Sequence, residues 1–541
     1  MTSGKTVQEP DLLFRLTHTE YISGQPQWNM PRQFAEAYML LVVEAGEGEL
    51  VADERRFSLA RGQLYLLPPS TLVEMASSGQ APLGLYLLKF QTLRENGHTD
   101  KTVLFAKETE AAGFPYAGRL PEQLFAGTLV AVEPLCRLSP DRTPSGIHQT
   151  YRLFHQALAA ICEPVHDRGR LDASEAIDRT IAYMNEFYRD PISREQLAAI
   201  AGMSPWHFSH KFKETTGLSP TAMLESIRMR KAGEHLLVSD CGVRDVAGRV
   251  GYRDEAHFRS KFKEHTGLSP TMFLAKRRDN IAVLSYHYAA HLLTLQVVPL
   301  ATYVDRDRES HRDLYHDAIP CPLKRVRQMS EQDWDDQLQT LAGIKPGVIL
   351  CDELVHEAAR PYLQKIAPLV TIPWLEMTWR GHFREIASFL GKRRDADRWL
   401  SSYDRKAEQA SKLLKAKLGR ERITVLHLAS GRLLVYGRRN GGAVLYEDLH
   451  LTPAHDALSI AVCRQIDPNR LADYDCDRLF VVVDPDRESR LLWEGLRRSP
   501  AFAALRAVQT GTVHLVREVP WLEYSPYAHD LVLDEALRIM G

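Results

Sequence analysis

The chain writes one passage twice. "HFSHKFKETTGLSPT" runs from His207 to Thr221 and "HFRSKFKEHTGLSPT" from His257 to Thr271, with 12 of the 15 positions identical at an offset of 50. Duplication on this scale marks a supersecondary unit used twice, and it constrains the architecture more firmly than any other stretch. Each copy follows a short apolar-faced segment and a glycine. "REQLAAIAGMSPWHFSHKFK" sets Leu197, Ala198 and Ala201 on one helix face, Gly202 in a turn, then Phe208 and Phe212 four apart. "VRDVAGRVGYRDEAHFRSKFK" repeats this with Val246, Ala247 and Val250, then Gly251, Phe258 and Phe262. Helix, glycine turn, helix is the helix-turn-helix pattern, here with a second turn one residue longer.

The phenylalanines are expected to fix the second helix of each unit against the first. Trp206, Ser209, His210 and Lys213 then project away from that core, as do Glu255, Ala256, Arg259, Ser260 and Lys263 in the second copy. Such side chains can reach base edges or phosphates in a major groove. Between Pro191 and Asn280 there are 15 Lys plus Arg and 10 Asp plus Glu, a local balance of +5 in a chain whose total is −1. The passage "FKETTGLSPTAMLESIRMRKAGEHLL" and the later "FKEHTGLSPTMF" resemble the tandem helix-turn-helix domain of the AraC/XylS family of bacterial transcription regulators. The resemblance implies two readers joined by the helix "TAMLESIRMRKAGEHLLV", entering successive major grooves about 34–36 Å apart. It implies double-stranded operator DNA as a partner and, for an activator, RNA polymerase. Ser209-His210 in one copy stands where Arg259-Ser260 stands in the other, so the operator is expected to be directional rather than palindromic.

A chain of 541 residues is too long for one core and should divide into roughly three or four domains. The reading is multidomain: a small β, cupin-like domain over 1–120, a helical linker over 121–171, an all-α tandem helix-turn-helix domain over 172–279, and a two-lobed α/β domain over 280–541. The seven cysteines are scattered and never form a C-x-x-C pair, which argues against a disulfide framework or zinc site and for a reducing compartment. No signal-like segment opens the chain and no run of eighteen apolar residues occurs, so it reads as cytoplasmic, without a membrane partner.

Short apolar runs with glycine and proline punctuation between Phe34 and Phe90 predict a β-barrel or sandwich. The spacing of Gly46, Gly48, Gly62 and Pro68 resembles the cupin-like arm of sugar-responsive regulators. No histidine occurs from Pro31 to Thr92, so the imidazole ligands of metal-binding cupins are missing and no metal is expected. The sequence leaves open whether this region binds a small ligand, pairs two copies as a homodimer, or only supports the fold.

From Ala282 to Met540, compact strands such as "PGVILCD", "ITVLHLA" and "RLFVVVD" alternate with helices, and a long helical stretch spans Asp395–Leu418. "AGIKPGVILCDE", "IDPNRLADYDCDRLFVVVD" and "VPWLEYSPYAHDLVLDEAL" resemble the iron-siderophore binding proteins of ABC importers, whose two α/β lobes are bridged by one long helix. The resemblance implies a sensor for a ferric siderophore of catecholate type. Its iron is already saturated, so the protein would supply cations and planar donors and no metal ligands or cofactor. The candidates are Arg432, Arg438, Arg439, Tyr436 and His427 in "HLASGRLLVYGRRNGG", with Tyr286, Trp379 and Arg380 from the first lobe, alongside His287, Tyr288 and Asn440. The order of modules resembles siderophore-responsive activators of Gram-positive bacteria. A corrinoid, haem or an oligosaccharide is the alternative effector, and a transporter's solute-binding component the alternative class. No nucleophile elbow, Walker loop, dinucleotide loop or H-E-x-x-H motif occurs, so no enzymatic activity is expected.

Overall fold

The computed structural model describes residues 12–23, 28–53, 55–78, 82–99, 102–107, 118–138, 143–162, 168–216, 218–238, 242–266, 268–273, 280–305, 313–324, 331–355 and 357–541. Its N-terminal part is a two-sheet β structure. One sheet has the order β1 (Leu12–Ser23), β8 (Gly84–Thr99), β3 (Tyr38–Ala45), β6 (Leu64–Leu67) and β10 (Gly118–Arg119), with β9 (Thr102–Lys107) also on β8. The other is β2 (Asn29–Phe34), β7 (Leu72–Ser77), β4 (Glu47–Ala52) and β5 (Arg55–Ala60). Met39, Leu41 and Val43 of β3 face the sandwich interior with Leu50, Leu59 and Met75. Tyr38, Leu40 and Val42 face the other way, against α1 (Phe125–Arg137) and α2 (Pro144–Cys162). A strand buried on both faces must be apolar throughout, which is why "YMLLVV" shows no alternation. The segment expected as a linker thus includes two helices that share a core with this sheet through Ala131, Val132, Leu135, Phe154 and Leu158.

The repeat folds as the pattern predicts. After α3 (Arg168–Phe187) come α4 (Arg194–Ile200) and α5 (Pro205–Thr216), then α6 (Pro220–Val238), then α7 (Val243–Arg249) and α8 (Glu255–Thr266). Ser193 and Gln196 form a capping box at the start of α4. The repeated "TGLSP" has a physical reason. Thr216 donates its hydroxyl to Phe212 O and Leu218 O, and Thr266 does the same to Phe262 O and Leu268 O, closing each second helix. Ser219 and Ser269 then accept from Ala222 N and Met272 N to cap the next helical turn.

The C-terminal half has two sheets. The first-lobe sheet is parallel throughout, ordered β13 (Cys321–Lys324), β12 (Ala301–Val304), β11 (Ile281–Val283), β14 (Val348–Cys351), β15 (Leu369–Thr371). The second lobe is mixed: β19 (Cys463–Gln465), β17 (Arg432–Tyr436), β16 (Arg422–Ala429), β20 (Arg478–Val483), β21 (Val513–Val516), with β18 (Thr452–Pro453) on β16. The helix Arg393–Leu418 joins the lobes and buries Leu400, Tyr403, Ala407, Ala410 and Leu414 along one face. Among the described residues, no helix is long and apolar enough to cross a membrane.

Candidate operator surface and ligand cleft

On both second helices the register is as expected. Phe208, Phe212, Phe258 and Phe262 are all 0% exposed, whereas Trp206 is 77% exposed. His210, Lys213, Ala256, Arg259, Ser260 and Lys263 are exposed on the same outer side. Trp206 lies roughly parallel to the His210 ring, with centroids 5.9 Å apart, so the two form one flat projecting plate. Two side chains are more constrained than the sequence conveys. Ser209 is half-buried and donates back to Pro205 O at 2.9 Å, which draws its hydroxyl into the helix. Glu255 pairs with Arg259 at 2.8 Å, so Arg259 must exchange a carboxylate for a base or phosphate on binding.

The turns depend on glycine. Gly202 has φ +67° and Gly251 φ +84°, a region that side chains with a Cβ rarely adopt. A Cβ at Gly251 would lie 2.6 Å from Arg189 O, while one at Gly202 would meet open space.

In the C-terminal half, the lobes meet at a cluster that follows the carboxyl ends of the first-lobe strands. Trp374, after β15, stacks on His287 at 4.1 Å and on His382 at 5.3 Å. Glu353, after β14, accepts from Trp374 N and Leu375 N at 2.6 and 3.0 Å and so ties the two strand ends together. From the second lobe, Arg439 donates to Trp374 O, Leu375 O and Met377 O at 3.0, 2.8 and 3.1 Å. Its guanidinium lies 5.0 Å from the Trp374 ring centroid and 4.6 Å from that of Tyr524. The loop that delivers it requires glycine: a Cβ at Gly437 would sit 1.9 Å from Ile460 O, and one at Gly441 2.7 Å from Trp521. A second inter-lobe link is Arg380, which pairs with Asp404 at 2.7 Å and with Asp448 at 2.9 Å. Tyr403 donates to Asp448 as well, at 2.8 Å.

Several expected ligand contacts are therefore revised. Arg439 is 7% exposed and fully engaged as a latch between lobes. Arg380 is shared by two carboxylates in a groove that also holds Glu408 and Glu447, and is not a free cation for an anionic ligand. Trp379 is 1% exposed, under the Arg380 guanidinium and against Tyr403 and His529. His427 and Tyr436 are interior residues of the second lobe: His427 lies 2.8 Å from Asp484 and its ring faces Tyr436. Arg432 is exposed, but an extended strand separates it from Arg438, and six residues of strand span about 20 Å. The three arginines of "RLLVYGRR" do not converge. Arg438 is the exposed one beside the latch, and it helps hold the Glu447 carboxyl down against the upward push of burial. The side chain of Tyr286 lies outside the described residues. Sequence reasoning missed Trp374, His382 and Tyr524; the available signal was an aromatic placed directly after an apolar strand, as in "LVTIPW". Exposed Leu354 and Leu375, at 64% and 57%, add an apolar rim to the same strand ends.

Part by part, the fold is similar to an AraC-type helix-turn-helix regulator joined to a periplasmic-binding-protein domain. The chain matches the families described as AraC-like ligand binding domain over residues 18–124, helix-turn-helix domain over 197–276 and periplasmic binding protein over 281–519. Along almost its whole length it is similar to the HTH-type transcriptional activator Btr of Bacillus subtilis, 26% identical over 542 residues and covering 98% of each chain. The C-terminal half is similar to the solved structure of FhuD2 from Staphylococcus aureus with bound ferrioxamine B, 16% identical, TM-score 0.42, covering 48% of this chain and 97% of that one. It is likewise similar to the triscatecholate siderophore binding protein FeuA of Bacillus subtilis complexed with ferri-bacillibactin, 17% identical, TM-score 0.42, covering 48% and 92%.

Proposed function

We propose that the chain activates genes of iron-siderophore uptake when a ferric siderophore enters the cleft between the two lobes of its C-terminal half. The observation that carries this reading is the full-length similarity to a transcriptional activator, with a two-lobed binding module in place of a simple sensor. Arg438, Leu354 and Leu375 offer the chelate an exposed cation and an apolar rim beside the buried Trp374 and Tyr524. Trp206, His210, Lys213, Arg259, Ser260 and Lys263 read the operator. RNA polymerase is the partner of the DNA-bound form, and the site of action is the cytoplasm. Because the latch already occupies Arg439, ligand is expected to act by exchanging latch contacts for its own, and the shift is bounded by its differential affinity for the two lobe arrangements. Calorimetry on the full chain with ferric catecholates, ferric hydroxamates, haem and corrinoids tests the effector. Binding of a ferric siderophore, weakened by Arg438→Ala, supports the reading; binding of haem or a corrinoid alone refutes it.

A further inference from the structure

The N-terminal β structure does not stand apart from the sensor. Strand β2 and the turn before β7 lie on two first-lobe helices, Glu331–Ile344 and Arg360–Ile366. At the centre, Phe34 and Leu72 are 7% and 1% exposed and share one apolar cluster with Leu338, Leu341, Ile349 and Ile366 of the first lobe. The Phe34 ring meets Tyr362 edge-on at 5.3 Å. Around it the polar groups are matched across the seam. The Gln339 carboxamide accepts from Phe34 N at 2.8 Å and donates to Phe34 O at 3.0 Å, completing strand-like pairing on the edge of β2. Arg32 donates to Lys365 O at 3.0 Å and Ile366 O at 3.3 Å, the orphan carbonyls that end a helix. Ser70 and Tyr362 exchange a hydroxyl contact at 2.9 Å. Lys345 pairs with Glu74 at 2.6 Å and Lys365 with Asp53 at 3.0 Å, so two first-lobe cations face two carboxylates of the N-terminal domain.

The DNA-binding domain touches the same lobe. Helix α6, which joins the two helix-turn-helix units, packs against β15, the edge strand of the first-lobe sheet. Among the described residues, the most extensive contacts of the second lobe outside itself run to the bridging helix and the C-terminal helix Pro526–Met540, rather than to the N-terminal domain or to the DNA-binding domain.

We propose that the surface of β2 and its neighbouring turn is an interaction surface whose partner is the chain's own first lobe. The first lobe is thereby the fixed half of the sensor, held in one frame with the N-terminal domain and α6, and the second lobe is the half that moves. This rests on the two-lobed sensor reading above, but its test needs no ligand, because replacing Arg439 releases the inter-lobe latch directly.

Spin labels in the full chain, with exposed Cys162 and Cys463 replaced by Ser, report the distances. One pair joins Ser58→Cys of the N-terminal domain to Ala358→Cys of the first lobe, and another joins Ser58→Cys to Arg490→Cys of the second lobe; all three positions are exposed. Arg439→Gln is expected to shift and broaden the distance to the second lobe while the distance to the first stays narrow and unchanged. Lys345→Glu with Lys365→Glu is expected to broaden the first-lobe distance, and adding Glu74→Lys to narrow it again. A first-lobe distance that broadens with Arg439→Gln, or that ignores charge reversal at the seam, overturns the proposal, as does a second-lobe distance unmoved by Arg439→Gln. Failure to bind any ferric siderophore leaves these distances unaffected and counts only against the effector.

Discussion

Trp206 projects 77% of its surface into solvent from a helix whose phenylalanines are wholly buried, an arrangement with no packing purpose within the chain. Its indole, backed by His210, offers an apolar plane to a groove, while Arg259 offers a bidentate donor once it leaves Glu255. Trp206→Ala and Arg259→Ala are each expected to weaken specific operator binding by about ten- to hundredfold, since a base contact contributes roughly 1–3 kcal/mol. Their thermal stability should match the parent chain. Phe208→Ala is expected to cost about 3–5 kcal/mol of stability, as core aromatics do; footprinting beside thermal melts separates the two kinds of effect. Inside the sensor, burial depresses His382 to about 4 and His529 to about 3, and holds His291 well below its ordinary value. The folded values lie below the unfolded one, so the unfolded chain takes up protons that the folded chain refuses. Stability contributed by the neutral rings is present above about pH 6.5 and lost as pH falls towards 4. The melting temperature of the sensor transition should decline across that window, and less steeply in His529→Leu, which removes one of these buried rings. An unchanged slope in that variant would assign the acid sensitivity to the carboxylates.

At the scale of elements, the two turns make unequal demands on glycine. Gly202→Ala is expected to cost about 1–2 kcal/mol, the strain of a left-handed side-chain-bearing residue. Gly251→Ala should cost distinctly more, because its Cβ would also press on Arg189 O at 2.6 Å. Chemical denaturation of the two single variants checks the order, and equal losses would contradict the described packing. The helix-turn-helix units were legible because a repeat, a 3.6-residue period and a glycine turn all point to one arrangement. The bridging helix was legible too, over Asp395–Leu418 against the Arg393–Leu418 that forms. Other features are decided by partners far away in sequence. The helices at 125–137 and 144–162 look like a connector until Val132 and Phe154 meet the outer face of β3. Arg432 and Arg439 look like one cationic cluster because eight residues contain three arginines, yet β17 is extended and carries them to opposite ends. His427 looks available from its type alone, and only the strand order β17-β16-β20 shows that it faces Asp484 inside the lobe.

For the whole molecule, the proposed function puts operator reading and chelate sensing in one chain, so the two binding events must be thermodynamically linked if the chain is a switch. Linkage is reciprocal: a chelate that tightens operator binding is itself bound more tightly on operator DNA by the same factor. Typical couplings of about 1–3 kcal/mol correspond to roughly 5- to 150-fold in affinity. The contact of α6 with β15 connects the DNA-binding domain to the first lobe. The most direct measurement is the affinity of the full chain for its operator, titrated by fluorescence anisotropy at fixed salt with and without saturating ferric siderophore. The expected result is a shift of at least about fivefold, matched by an equal shift in chelate affinity when operator is present. Tight chelate binding with no change in operator affinity, and no reciprocal change, would contradict the coupling of cleft and operator surface on which the proposed switch depends.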